Sequence, residues 1–399
     1  MPPRHRTVLL AVALAIVGLN TINALNKGGD AADFFEGGRR VLHEHAIYTG
    51  SSPASGFIGP PFQALFFAPF AAVAALDETA ARLLWYGLNV LCLGGGVWCW
   101  TSAWHASLAQ SQRSHLVDHW APWAALLAIL LPLQTNFEHQ NMNPVLLAAI
   151  GAAVWALVKR RDNSAGALIG FAAALKVFPA LLILFLATKR KWRPFAAAVG
   201  TASLLTALPL LVYGRQAFIE QLRQWLQVGT GGWPTRGANQ SLIAAIDRLI
   251  PGEPAPVRAA ANAPIEVMIF AAVAMIMVLA ALPLIRGRVS ETALVPELAA
   301  VTTFAVLLSP IAWDHYWVLL FPAFLMVYTG ASRELLGRNA LVVFWTAAVL
   351  TSGLSRVTLG RDGWAVARHF STSTIAALLL YAVLLQLSRR LGANRQKSG

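Results

Sequence analysis

Apolar segments separated by short polar connections run along almost the whole chain. Many of them approach the roughly 20 residues that a helix needs to cross the hydrocarbon core of a bilayer. The pattern predicts an all-α, polytopic integral membrane protein with about 10–12 transmembrane or re-entrant helices. The apolar segments cover residues 7–26, 57–76, 80–104, 121–134, 144–158, 164–187, 195–213, 264–285, 293–310, 317–330, 340–356 and 372–388.

Composition supports one transmembrane domain over residues 1–399. The chain is 57% hydrophobic and 12% charged, with a mean hydropathy of +0.58, whereas soluble domains carry about 25% charged residues. The net charge is +13, but the basic residues lie in clusters between apolar segments. They are therefore interpreted as orienting the helices, with contacts to anionic lipids as a secondary role, and not as a nucleic-acid surface.

The basic clusters predict which connections face the cytoplasm, because Lys and Arg are concentrated in cytoplasmic loops. Residues 27–56, 214–263 and 357–371 are then external loops of a multi-pass membrane protein. The clusters are Arg4 and Arg6, Lys159–Arg161, Lys189–Lys191 with Arg193, Arg286 and Arg288, Arg333 and Arg338, and Arg389 and Arg390.

The number of crossings before Lys159 must be even if both the N-terminus and Lys159 are cytoplasmic. One interpretation joins 121–134 and 144–158 into a single broken span, which holds the polar residues between them at membrane depth. The alternative makes 57–76, with its three prolines, a non-spanning element. The broken span is the preferred prediction.

Residues 164–187 are predicted to form a re-entrant hairpin that turns near Lys176–Pro179, because a full span would place Lys189 outside. Pro179 interrupts helical hydrogen bonding, and Lys176 carries the only charge in the segment. A charge at membrane depth indicates a functional residue. A lysine that extends to the membrane interface is the alternative.

Three polar clusters fall on the external face in this topology. The first is the stretch Gly28–Gly38, which contains Asp30 and Asp33 and is interpreted as a polar loop after the first span. The others are Asn239–Ser241 and Asp314–His315. Ordinary turn formation and helix capping would explain such residues individually, but their convergence on one face predicts a site.

Motifs of soluble enzymes are absent from the sequence: it contains no Walker loop, GxSxG, HExxH or paired CxxC. The pairs His43/His45 and His115/His119 offer too few ligands for a closed metal site. Cys92 and Cys99 are about 10 Å apart on one predicted helix, too far for a disulfide.

The order and spacing of several short motifs between about residues 20 and 320 resemble a known class of enzymes. The chain looks like the polyprenol-phosphate-sugar-dependent glycosyltransferases of the GT-C class, and in particular glycosyltransferase family 87, typified by bacterial α-mannosyltransferases acting outside the cytoplasm. The motifs are the Asp-Phe stretch at Asp33, Tyr48, Gly59–Phe62, Gln140 with Asn143, Leu175–Pro179, Asn239–Leu242 and Ser309–His315.

This resemblance implies an inverting transfer, most often of mannose, from a polyprenyl-phosphate donor to a lipid or glycan hydroxyl. Together with the short loops, it also implies that the protein lies in a bacterial inner membrane. The catalytic aspartate of the family lies in the first external loop, which matches Asp33 or, as the second choice, Asp30. A phosphate leaving group needs no acid, so one general base suffices. The chemistry requires neither a nucleotide nor an obligatory metal, and no other cofactor is expected.

The remaining candidate residues are substrate contacts. Fixed positive groups are needed beside the departing phosphate, and Lys176, Arg236 and His315 are the candidates. Asp314, Gln140, Asn143, Asn239 and Gln240 are expected to contact the sugar or the lipid head group. A transporter or flippase of a lipid-linked sugar is the alternative function, because it would also use intramembrane charges and broken helices.

Overall fold

The computed structural model describes residues 21, 24–25, 29–43, 46–48, 50–51, 56–108, 115–230, 237–249, 264–286 and 291–396. The prediction of an all-α protein is confirmed, and within these ranges the β-structure is limited to an isolated bridge between Asn239 and Trp313. The predicted first span, 7–26, falls almost wholly outside the described residues, and Arg236 lies outside them.

The helices follow one another with short connections. They are α1 (Gly29–His43), α2 (Pro61–Ala74), α3 (Glu78–Ser107), α4 (His115–Ala128), α5 (Leu130–His139), α6 (Asn143–Val158), α7 (Asp162–Leu175), α8 (Ala180–Thr188), α9 (Trp192–Ala207), α10 (Pro209–Thr230), α11 (Leu242–Leu249), α12 (Pro264–Arg286), α13 (Glu291–Leu308), a 3₁₀ helix (Asp314–Leu320), α14 (Phe321–Ser332), α15 (Asn339–Ala348), a π-helical turn (Val349–Gly353), α16 (Arg356–His369) and α17 (Thr372–Gln396).

Two of the described helices, α3 and α17, are long and apolar enough to cross a membrane as single elements. Three bent pairs reach the same length and composition together: α4 with α5, α9 with α10, and α15 with α16. Their bends are 59°, 70° and 87°. Broken and bent helices are therefore a general feature of this fold, as expected where irregular backbone lies inside a membrane protein.

Helix α3 shows which connections lie on the same side of the membrane. Near its start, Trp85 Nε1 donates to the carbonyl of Gln140 at 2.7 Å, and near its end Trp104 Nε1 donates to Thr329 at 2.7 Å. These tryptophans are about 28 Å apart along the helix at 1.5 Å per residue, close to the thickness of the hydrocarbon core. Gln140 and Thr329 thus lie near opposite faces.

The preferred prediction of one broken span over 121–158 is therefore wrong. Asp118, at the start of α4, forms an ion pair with Arg333 close to Thr329, so α4 and α5 together cross to the face that holds Gln140. Helix α6 then crosses back as a separate element. This arrangement agrees with the alternative, in which 57–76 does not span, because α2 packs beside α1 on the Gln140 side.

The polar stretch Gly28–Gly38 is helical from Gly29 onward and belongs to α1, in contrast to the predicted loop. Its apolar residues recur at helical spacing and are buried, among them Phe34, whose ring stacks on Phe67 of α2 at 4.7 Å. Gly38 permits this packing, since a Cβ there would lie 2.7 Å from the Phe67 backbone. Tertiary packing of an amphipathic face outweighs the turn preference of Asp and Gly.

The predicted break at Lys176–Pro179 is present between α7 and α8. Helix α7 has 14 residues and is therefore about 21 Å long, too short to cross the bilayer alone. The far end of α8 is fixed by an ion pair between Lys189 and Glu297 of α13, 2.8 Å apart and almost fully buried. Lys176 directly follows the last residue of α7 and lies at the turn of the hairpin.

Close packing of α7 on α9 holds this hairpin in place. A Cβ at Gly170 would collide with backbone atoms of α9. We expect Gly170→Val to separate the helices and destabilise the protein by about 1–3 kcal/mol, measured as a lower thermal unfolding midpoint in detergent. Gly200→Val on α9 is the control, because a Cβ there meets no atom within 4 Å. Equal midpoints for the two variants would contradict this packing.

Candidate active site

A cavity of about 760 Å³ opens beside the first turn of α1 and reaches the break between α7 and α8. Its polar lining residues are Asp30, Asp33, Gln63, Asn141, Lys176 and Ser309. The rest is mostly apolar and includes Phe34, Phe57, Val177, Phe178, Leu181, Ile183, Leu184, Trp225, Val228, Ala305, Leu308, Trp313 and Tyr316. A charged region thus adjoins a long apolar wall.

Asp30 is the most highly connected carboxylate in this cavity. Its Oδ2 accepts a hydrogen bond from Asn141 Nδ2 at 2.6 Å and lies 3.3 Å from His315 Nε2. Its Oδ1 lies 3.8 Å from His139 Nδ1. Gly29 allows this approach, since it has a φ of +54° and a Cβ there would lie 2.8 Å from the His139 backbone.

The break between α5 and α6 supplies an amide network that holds Lys176. Asn143 Nδ2 donates to Asn136 Oδ1 at 3.1 Å and to the carbonyl of His315 at 2.9 Å, while its Oδ1 accepts from Lys176 Nζ at 3.2 Å. Lys176 Nζ also donates to Asn141 Oδ1 at 3.4 Å. The ammonium lies 3.6 Å from the centre of the Tyr316 ring, a favourable cation–π arrangement.

Asn141 therefore links the negative and the positive group of the site. Its amide nitrogen donates to Asp30 and its amide oxygen accepts from Lys176. The side chain keeps the carboxylate and the ammonium on the same cavity wall. A base and a cationic site are thus available to one bound molecule.

Burial shifts the acid–base groups of this wall toward their neutral forms. It raises the pKa of the Asp30 carboxyl, although His139, the hydrogen bond from Asn141 and Lys176 each act in the opposite direction. Burial, together with the positive charges of Lys176 and His139, lowers the pKa of His315 well below its ordinary value. A carboxylate with a raised pKa beside a neutral imidazole is suited to accept a proton.

Asp33 lies three residues further along α1, is half-buried and also lines the cavity. Burial raises the pKa of its carboxyl, and the negative charges of Asp30 and Glu36 add to the effect. Asp33 faces the same space as Asp30. The contacts to Asn141 and His315, however, belong to Asp30.

Of the other residues predicted from sequence, the structure brings His315 and Asn143 to Asp30 and Lys176. His315 is 3% exposed and Asn143 is fully buried, so both act immediately behind the cavity wall. Asp314 lies outside the lining and forms an ion pair with Arg368 at 2.7 Å. Burial raises the pKa of Asp314 to about 6 despite that arginine.

Asn239, Gln240 and Gln140 are buried and do not line the cavity. Asn239 Oδ1 accepts from the amides of Ser241 and Ala312, and Gln240 Nε2 donates to the carbonyl of Arg368 at 2.8 Å. Gln140 has a φ of +52° and its carbonyl receives Trp85. These contacts fix the backbone around the site.

Two functional candidates that the sequence analysis did not select are His139, the last residue of α5, and Asn141, which lies shortly after it. The sequence feature that could have identified them is their position in a polar run between two apolar segments, with side chains that can form hydrogen bonds. Within the described part of the chain, no group of three His, Cys, Asp or Glu side chains is placed to hold a metal ion.

Comparison with known proteins identifies relatives of this chain. A model of glycosyltransferase family 87 matches residues 57–310. A polyprenol-phosphate-mannose-dependent α-(1-2)-phosphatidylinositol pentamannoside mannosyltransferase from Mycobacterium tuberculosis (strain CDC 1551 / Oshkosh) is 29% identical over 297 residues. The match covers 74% of this chain and 63% of that protein, so the chain spans less than two thirds of its length.

Relatives from a second species have similar names. A polyprenol-phosphate-mannose-dependent α-(1-2)-phosphatidylinositol mannoside mannosyltransferase from Mycolicibacterium smegmatis is 27% identical over 331 residues, covering 80% of this chain and 70% of the relative. A pentamannoside mannosyltransferase from the same species is 28% identical over 328 residues, covering 81% of this chain and 72% of that protein.

Proposed function

The chain belongs to glycosyltransferase family 87, and from that premise we propose that it transfers mannose from a polyprenyl-phosphate donor to a lipid-linked hydroxyl on the external face of a bacterial inner membrane. The observation that carries the proposal is the pairing of Asp30 and Lys176 through Asn141 on one cavity wall. The pair supplies a base and a cation at one location, as the reaction requires.

The donor fits the division of the cavity into a polar and an apolar part. Its phosphate would lie at Lys176, and its isoprenoid chain would follow the apolar wall past Phe178 and Leu181 of the hairpin and Leu308 of α13. Burying such a chain stabilises the complex through its apolar area. The same wall would hold other polyprenyl-phosphate sugars, and mannose is inferred from the names of the relatives.

The reaction needs one proton transfer and one displacement. Asp30 removes the proton from the acceptor hydroxyl. The hydroxyl oxygen forms a bond to C1 of mannose, while the bond from C1 to the phosphate oxygen breaks. The electron pair stays on the polyprenyl phosphate, whose added charge Lys176 stabilises. Attack opposite the leaving phosphate inverts the configuration at C1.

Asp30 replaces Asp33 as the proposed base. A general base must lie within hydrogen-bonding distance of its proton and have a pKa near the working pH. Burial raises the pKa of Asp30, and its contacts to Asn141 and His315 hold the carboxylate on the cavity wall. Asp33, preferred from the sequence, is assigned to contact with the acceptor.

The acceptor is proposed to be a mannosylated phosphatidylinositol, by analogy with the acceptors named for the relatives. A lipid acceptor would reach Asp30 from the membrane surface beside α1. Membrane lipids surround the protein, and no step involves a nucleic acid.

A reconstitution assay separates this function from the transport of a lipid-linked sugar. Proteoliposomes receive polyprenyl-phosphate mannose with a radiolabelled sugar, and phosphatidylinositol mannoside as acceptor. We expect label in a glycolipid one mannose larger than the acceptor, and none when a nucleotide sugar replaces the donor. Label that crosses the bilayer while remaining on the donor would contradict transfer and indicate a transporter.

A further inference from the structure

Arg368, near the end of α16, forms an ion pair that the proposed chemistry leaves unused. Its guanidinium lies 2.7 Å from Asp314 Oδ2 and stacks 4.2 Å from the ring centre of Trp364. Both charged side chains are mostly shielded, with 22% and 14% of their surfaces exposed. A stacked, charge-assisted contact of this kind has little freedom to move.

Asp314 is adjacent in sequence to His315, which lies beside the proposed base, Asp30. It is the first residue of the 3₁₀ helix, and His315 follows it, with Nε2 at 3.3 Å from Asp30 Oδ2. The carbonyl of His315 is held by Asn143 at 2.9 Å. Two contacts therefore hold the start of the 3₁₀ helix: Arg368 binds the side chain of Asp314, and Asn143 binds the carbonyl of His315.

A second connection runs from Arg368 to the same turn through the backbone. The carbonyl of Arg368 accepts from Gln240 Nε2 at 2.8 Å, and the amide of Gln240 donates to the carbonyl of Ala312 at 2.8 Å. Arg248 Nε also donates to the carbonyl of His369 at 3.0 Å. The end of α16 is thus attached to the turn that precedes the 3₁₀ helix.

We propose that Arg368 is a positioning residue, which orients His315 toward Asp30 by holding Asp314. The inference rests on the proposed function. It adds to the site a residue of α16, a helix from the C-terminal part of the chain that lies outside residues 57–310, which the family model matches. Arg368 touches no reacting atom in this assignment.

The test compares Arg368→Gln and Arg368→Lys with the full-length wild-type protein in the proteoliposome transfer assay. We expect Arg368→Gln to lower kcat by about 10–100-fold, the usual effect of losing a supporting contact, with KM changed less than about twofold. Arg368→Lys should recover part of that loss, because it keeps the charge but not the planar contact. Asp314→Asn should match Arg368→Gln.

Arg361→Gln is the control, since Arg361 is an exposed arginine on the same helix. It should retain wild-type kcat, and every variant should keep the wild-type thermal unfolding midpoint. Wild-type kcat in Arg368→Gln, or a loss explained entirely by a lower midpoint, would overturn the inference while leaving the proposed function intact. Absence of transfer by the wild-type protein would overturn both.

Discussion

Asp30→Asn is expected to lower kcat for mannosyl transfer by about 10²–10⁴-fold, the range typical of general-base catalysis. Asparagine has nearly the same shape and keeps an oxygen that can accept from Asn141, so donor binding should be almost unchanged. Initial rates in proteoliposomes give kcat, and retention of labelled donor on the purified variant gives binding.

Asp33→Asn is the matched control, because Asp33 lies on the same helix and lines the same cavity. We expect its effect mainly on KM for the acceptor, with kcat within about tenfold of wild type. A severe loss of kcat in Asp33→Asn together with an active Asp30→Asn would return the role of base to Asp33.

The pH profile follows from the same assignment. The base works in its ionised form, so activity is lost as the pH falls through the pKa of the Asp30 carboxyl, which burial raises. The acidic limb of kcat should therefore lie above the pKa of an ordinary aspartate, which is about 3.9.

Lys176→Met should lower kcat by about 10²–10³-fold, comparable to the loss of one fixed donor at a developing negative charge. The methionine keeps the length and the apolar contacts of the side chain but removes the ammonium that faces Tyr316 and the two asparagine oxygens. KM for the donor should also rise, since the donor already carries a charged phosphate.

Lys159→Met is the control for this substitution, because Lys159 is exposed at the end of α6 and lies outside the cavity. It should transfer mannose at the wild-type rate. If Lys176→Met were as active as Lys159→Met, the leaving phosphate would have to be stabilised elsewhere.

The sequence contained enough information to predict the elements that membrane physics dictates. The length of the apolar segments and the low charge predicted the all-α class. The isolated Lys176 followed by Pro179 predicted the break between α7 and α8. The run of polar residues after α5 likewise located the second break. In both cases polar residues interrupt an apolar stretch, and the polar groups of the two breaks form hydrogen bonds with each other.

Other features depend on contacts between distant residues. The loop prediction for Gly28–Gly38 failed because tertiary packing, such as that of Phe34 on Phe67, stabilises α1 against the turn preference of Asp and Gly. The sequence was consistent with two assignments of the membrane spans before Lys159. Contacts between distant residues, such as Asp118 with Arg333, are needed to distinguish them. The sequence favoured Asp33 over Asp30, because the partners of Asp30 come from residues 139–141 and 315 and their proximity is not visible in the sequence.

The configuration at C1 of the transferred mannose shows whether transfer occurs by a single displacement. Wild-type protein would convert a polyprenyl-phosphate mannose of known anomeric configuration and ¹³C-labelled at C1, and the one-bond carbon–hydrogen coupling of the glycolipid product would report its anomer. A single displacement promoted by Asp30 predicts a product of inverted configuration. A product that retains the donor configuration, or no glycolipid product at all, would rule out a single displacement promoted by Asp30.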